Sequence, residues 1–218
     1  MKLLHKSLKT PQGKLVLGLL AIIVILFAYY FYKTGGQEAP APVVEVTQTD
    51  HVRGAKGAKV TVVEFGDFQC PACGMYEPIV QKVMADNKDI AQIVFRHFPL
   101  TQIHQNALLG SKAAEAAGEQ GKFWEMHDLL YARQKEWASA LNARDFMIGY
   151  AKELKLDTVK FSADLNSRAI ENKIRAEYLE GEKLGVQGTP TFFINGVKIE
   201  NPQSVEAFTA LIKDASKK

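Results

Sequence analysis

Cys70 and Cys73 stand three apart in the run Cys70-Pro71-Ala72-Cys73 and are the only thiols in 218 residues. Dithiol–disulfide exchange, half of an intermolecular metal site and an inert chance spacing are all open to such a pair. Two cysteines cannot fill a tetrahedral zinc site, and a bridge across so short a loop would constrain little of the unfolded chain. Exchange fits best. Pro71 suits the first position of a helix, where its missing N–H is not needed. The free N–H groups of that first turn would face the Cys70 sulfur, and the helix dipole favours its anion. Cys70 is expected to attack, and Cys73, one turn deeper on the same side, to resolve a mixed disulfide.

Other residues extend this chemistry. Glu64 interrupts an apolar run six residues before Cys70. Burial there would raise its pKa and let it relay the proton of Cys73, whereas a strand-end glutamate would simply reach solvent. Pro190, after Gly188-Thr189, leads into an apolar run, where chain direction must be fixed. His97 and His104 bracket the end of a strand and are candidates to approach the thiols. His127 reads as a satisfied core residue, and His5 and His51 have no visible context. Phe123-Trp124 and Trp137 read as packing.

These residues need elements to hold them. Lys59–Phe65 is apolar on both faces, as a buried central strand should be. A helix is expected from Pro71 to about Asn87, bent at Pro78, and a strand over Ile90–His97. This βαβ unit implies parallel strands. Val43–Val46 is a further strand candidate. Residues 104–184 carry helical spacing instead, with helices near 104–118, 121–136, 143–154, 158–165 and 167–184. Asn142 and Asp157 stand as N-caps, and Gly118 and Gly185 as stops. Thr191–Ile194 and Val197–Glu200 flank Asn195-Gly196, a strong hairpin signal. A last helix is expected over about Gln203–Lys213.

Charge divides unevenly along the chain. Residues 1–33 hold five lysines and no acid, so +5, whereas the rest holds 22 basic and 24 acidic residues, so −2, giving the net +3. A near-neutral body argues against nucleic acid as a partner. No glycine-rich phosphate loop and no internal repeat is visible, and no cofactor or metal is expected. Leu15–Tyr32 runs eighteen residues without a charge, nearly enough to span a hydrocarbon core of ~30 Å. Tyr29, Tyr30, Phe31 and Tyr32 suit an interfacial belt, and the preceding lysines suit the cytoplasmic side. A cleavable signal is disfavoured by the long apolar run and the bulky aromatics at its end. The expected layout is a basic leader (1–14), a transmembrane anchor (15–32), a linker (33–42) and a body (43–218) outside the membrane, where disulfides persist.

The runs EFGDFQCPAC, FRHFPL, KFWEMHDLLY and GVQGTPTFFINGVKI together resemble the DsbA-like thiol:disulfide oxidoreductases of the thioredoxin superfamily, particularly their membrane-anchored bacterial members, over about residues 43–215. The resemblance implies an α/β, thioredoxin-like fold with an inserted helical domain over about 104–184. It implies that Pro190 is a cis-proline facing Cys70, that Thr189 offers its backbone to an extended substrate, and that Glu64 is the buried acid beneath the pair. It implies reduced exported proteins as substrates and a quinone-linked membrane partner for reoxidation. Ala72 departs from the histidine of the best known strongly oxidising member, so the dipeptide Pro71-Ala72 leaves the oxidising strength open.

Disulfide formation is therefore the leading expectation, in a monomer. An extracytoplasmic reductase or isomerase keeps the chemistry and changes its direction; residues 33–42 leave no room for the added dimerisation domain common in isomerases. A non-redox peptide-binding or chaperone module would use the groove by Pro190 alone. A metal carrier would hold zinc between two copies.

Overall fold

A computed structural model describes residues 11–34, 44–55 and 57–217. Two units result, Met1–Ala41 and Pro42–Lys218. Most of the expected leader and linker, with His5, lies outside the described residues. In the first unit α1 runs Pro11–Thr34. Its segment Lys14–Lys33, mean hydropathy 2.5, is the one helix among the described residues long and apolar enough to cross a membrane.

The second unit is built on a five-stranded sheet. Its strands are β1 (His51–Gly54), β2 (Val60–Gly66), β3 (Ala91–His97), β4 (Thr191–Ile194) and β5 (Val197–Lys198), in the order β1-β3-β2-β4-β5. β2 pairs parallel with β3 and antiparallel with β4, so it is central, as its apolar faces require. Between β2 and β3 lies α2 (Pro71–Asp86), continuous through Pro78. Between β3 and β4 come six helices: α3 (Ala107–Gly118), α4 (Phe123–Ala132), α5 (Gln134–Trp137), α6 (Ala143–Glu153), α7 (Thr158–Asp164) and α8 (Arg168–Lys183). α9 (Val205–Ala215) closes the chain. The expected order of βαβ, helical block and ββα is present.

Alternation along β2 decides what each face meets. Val60 and Val62 pack with Val80 and Val83 of α2 and Phe208 and Ile212 of α9. Val63 and Phe65 pack on the other face with Val94, Phe98 and Val186. Glu64 shares the parity of Val62 and so faces the layer containing α2. A third cluster joins both cysteines to Phe68, Phe95 and the interior of the helical block, including Trp137, Met147 and Phe161. The thiols therefore lie at the seam between sheet and helices.

Several expectations are corrected. Residues 44–46 form no strand, and Val43 lies outside the described residues. The edge strand is His51–Gly54 instead, whose sequence His-Val-Arg-Gly carries no apolar alternation. The first helix of the block begins at Ala107 rather than 104, after turns. The helix expected over 121–136 breaks at Arg133, giving α4 and α5. Asp157 caps α7 through Val159 N and Lys160 N, but the Asn142 side chain caps no backbone N–H; its amide nitrogen turns to Asp145 at 3.4 Å.

Arg96 was invisible as a core residue. Its side chain is 1% exposed and bidentate on Asp50 at 2.9 and 2.8 Å, with further bonds to Glu180 and to Glu45 O. Arg96→Met is expected to cost about 3–5 kcal/mol, because the Asp50 charge would stay buried without its partner. A lowered denaturation midpoint at constant slope would show it; an unchanged midpoint would refute it.

Candidate active site

Cys70 is the N-cap of α2, with φ −66° and ψ 120°, and Pro71 follows at the first helical position. A turn fixes the approach: Cys70 N donates to Asp67 O at 3.0 Å, and Gln69 N to Asp67 Oδ1 at 2.8 Å. Asp67 is fully buried. Its other oxygen accepts Leu100 N at 3.0 Å and lies 2.6 Å from His104 Nδ1. His104 thus reaches the loop of the thiols as one alternative foresaw, whereas His97 turns to Glu115 at 2.9 Å.

The two cysteines differ in depth, with Cys70 at 7% and Cys73 at 1% exposure. The Cys70 thiol lies 3.4 Å from Thr189 O, and the Thr189–Pro190 peptide is cis. The Cys70 pKa is lowered to about 5: a hydrogen bond from Cys73 is the largest cause, burial opposes it, and Thr189 and the N–H groups of Cys73 and Ala72 add to the lowering. Cys73 moves the opposite way, pushed well up by burial, by its hydrogen bond to Cys70 and by the nearby Glu64 charge. One sulfur is held as the anion and the other as the thiol. Ala72 contributes through its backbone, so the missing side-chain donor at that position does not prevent thiolate formation.

Glu64 is 2% exposed, and its Oε2 has no hydrogen-bond partner. Burial, then the charge of Glu77, pushes its pKa well up, which favours its protonated form. The burial expected for Glu64 is present, and the solvent-reaching alternative is not.

His127 is buried, but not satisfied as expected: Nδ1 lies 3.0 Å from Asp128 and Nε2 has no partner. With Glu77 and Asp128 it forms the one three-residue group with metal-ligand spacing among the described residues. Arg53 already donates to Asp128 at 2.8 Å and Gln81 to Glu77 at 2.8 Å, so protein donors already serve both carboxylates. His51, without visible context in the sequence, stacks on Phe123 and meets Glu115 at 3.0 Å. Glu115 stays ionised against the cost of burial because His51, His97 and Lys173 converge on it. Sequence reasoning missed Asp67, Gln69, Asn106 and Gln134, which shape the loop. Asn106 N donates to Gln69 Oε1 at 2.6 Å, Gln69 Nε2 to Ala138 O at 2.6 Å, and Gln134 Nε2 to Phe68 O at 2.8 Å.

A family model described as Thioredoxin matches residues 46–214. The Na(+)/H(+) antiporter NhaA 1 of Salinispora arenicola is 47% identical over 167 residues, which are 76% of this chain and 24% of that protein. The chain spans about a quarter of the length of the curated relatives it matches first. Among solved structures, oxidised BdbD from Bacillus subtilis superposes with a TM-score of 0.73 at 22% identity, covering 82% of this chain and 98% of its own. Alpha-DsbA1 of Wolbachia pipientis gives 0.69 at 21% identity, covering 80% and 94%. At these identities the two likenesses establish the fold.

Proposed function

The chain belongs to the thioredoxin family, and from that premise we propose that it is an extracytoplasmic thiol–disulfide oxidoreductase that forms disulfide bonds in exported proteins. The observation carrying this reading is the placement of the pair: Cys70 caps α2 with its sulfur 3.4 Å from Thr189 O, and Cys73 lies buried within the first turn. This arrangement lowers the Cys70 pKa to about 5 and raises that of Cys73. A stabilised thiolate favours the reduced enzyme, which makes the oxidised enzyme a stronger oxidant.

In this reading a substrate thiolate attacks Cys70 Sγ of the enzyme disulfide. The S–S bond breaks, and Cys73 leaves as a thiolate that takes the proton of Glu64. The second substrate thiolate then attacks its partner sulfur in the mixed disulfide, closing the substrate disulfide and releasing Cys70 as its stable thiolate. Two electrons have passed to the enzyme, and a quinone-linked membrane partner removes them. Thr189 and Pro190 would line the substrate path beside Cys70. Proline at position 71 also favours an oxidase over the Gly-Pro pair of thioredoxins.

The long apolar α1 supports a single-pass anchor, with residues 43–218 outside the membrane and working as a monomer. Antiport is in the name of relatives of which the chain spans about a quarter, and the matched region here is the thioredoxin-like one. Titration of the Cys70–Cys73 pair against glutathione is expected to give a reduction potential near about −120 mV; a value near about −270 mV would make the protein a thioredoxin-like reductase.

A further inference from the structure

The redox loop is fastened to the helical block from the outside. We propose that Gln134, the first residue of α5, is the positioning residue that holds the Cys70 loop in its reactive shape, so that the helical block sets the reactivity of the redox pair. The inference rests on the redox reading given above.

Gln134 Nε2 donates both to Phe68 O at 2.8 Å and to Cys70 O at 2.9 Å. The Cys70 carbonyl also accepts Gly74 N at 3.2 Å, the opening bond of α2. One side-chain amide therefore fixes the peptide plane that leaves Cys70, and with it the direction in which the N–H groups of Ala72 and Cys73 face the sulfur. Those two N–H groups are among the causes that lower the Cys70 pKa.

The amide is itself held. The chain breaks at Arg133 between α4 and α5, which turns Gln134 toward the loop. Trp137, three residues on, is fully buried and donates Nε1 to Leu130 O at 2.9 Å, anchoring the short helix. A second strap runs alongside, because Gln69 Nε2 donates to Ala138 O and Asn106 Nδ2 donates to Trp137 O, Ala138 O and Ala140 O.

Gly74 supplies an independent sign. Its backbone lies outside the left-handed region, so nothing local demands glycine, and alanine is the better helix former. A Cβ there would come within 2.7 Å of Gln134 Oε1 and 3.2 Å of Cδ and Nε2. The space at position 74 is taken up by the Gln134 amide.

Two variants of the full chain separate positioning from mere support. Gln134→Met keeps the length and loses the donor. Gly74→Ala keeps Gln134 but pushes its amide aside, while favouring the helix. The readouts are the ultraviolet thiolate titration of Cys70 and the denaturation midpoint. Both variants are expected to raise the Cys70 midpoint by roughly half a unit to one unit, as loss of about one hydrogen bond implies. Gly74→Ala should do so without loss of stability, which a purely structural role would not produce. Should Gln134→Met fail to fold, Gly74→Ala decides alone. A parent chain with a low midpoint and folded variants that leave it unmoved overturns this inference and spares the redox reading. A parent whose Cys70 titrates as an ordinary thiol overturns both.

Discussion

Cys70→Ser is expected to lower the rate of exchange with a dithiol peptide by at least a factor on the order of a thousand, as loss of a nucleophile does. Serine matches the shape of cysteine, so the N-cap position and the packing around it survive. Its oxygen cannot enter a disulfide, so the substrate thiolate has no enzyme S–S bond to attack. Cys73→Ala should behave differently. With no sulfur at position 73 the enzyme disulfide cannot form, so oxidation of a reduced dithiol is lost here too. Offered an oxidised peptide, however, the Cys70 thiolate attacks its disulfide, and one peptide sulfur leaves as a thiolate. With the resolving sulfur gone, the mixed disulfide accumulates as a heavier species that a reductant dissolves. A peptide-binding module predicts the reverse, with Cys70→Ser fully competent in binding and in protecting clients. Retained biological function in that variant would remove the redox reading.

Glu64→Gln carries the second large effect, and it has two parts. A glutamate that is buried and lacks a partner for Oε2 costs the fold its desolvation, so the amide is expected to stabilise the protein at neutral pH by about 1–3 kcal/mol. The sign in pH follows from the raised pKa of the folded state. Below the ordinary glutamate value both folded and unfolded chains hold the proton and the gain vanishes. As pH rises from there toward the folded value, the unfolded chain ionises first, parent stability falls, and the advantage of the variant grows. Denaturation at a series of pH values checks this, and a pH-independent difference would contradict it. The second part is kinetic: without an acidic proton for the departing Cys73 thiolate, formation of the mixed disulfide should slow by on the order of a hundredfold. Faster unfolding and an unchanged rate of mixed-disulfide formation would place Glu64 in support of the core alone.

What was legible in the sequence was local. β2 announces itself by apolar residues on both faces, and Asn195-Gly196 marks the β4–β5 hairpin because the turn needs positive φ, found at both residues. The position of Cys70 follows from Pro71 alone. β1 was not legible, since an edge strand four residues long with one apolar side chain has no period to detect. The fastenings of the site were not legible either. Gln134 meets Cys70 across 64 residues, His51 meets Glu115 across 64, and Arg96 meets Asp50 across 46. Nothing in a glutamine or an arginine reveals which distant carbonyl or carboxylate it will meet; only the packed seam between sheet and helices does. Glu64 was the exception, because its neighbours Val62, Val63 and Phe65 mark a strand buried on both faces, so a carboxyl among them is buried whichever face it takes.

The unequal depth of the two sulfurs turns the protein into its own gauge. With no other thiol in the chain, a mass-adding alkylating tag applied after acid quenching and denaturation attaches at two positions when the pair is reduced, at none when it is oxidised, and at Cys73 alone in a mixed disulfide. Gel mobility then separates the charged and spent pools without background. Applied to the native chain for a short time, the same tag should mark Cys70 well before Cys73, so a single mark reports a folded, discharged molecule. Intact cells could thus be read for how fast the pair is recharged, with no reporter grafted on.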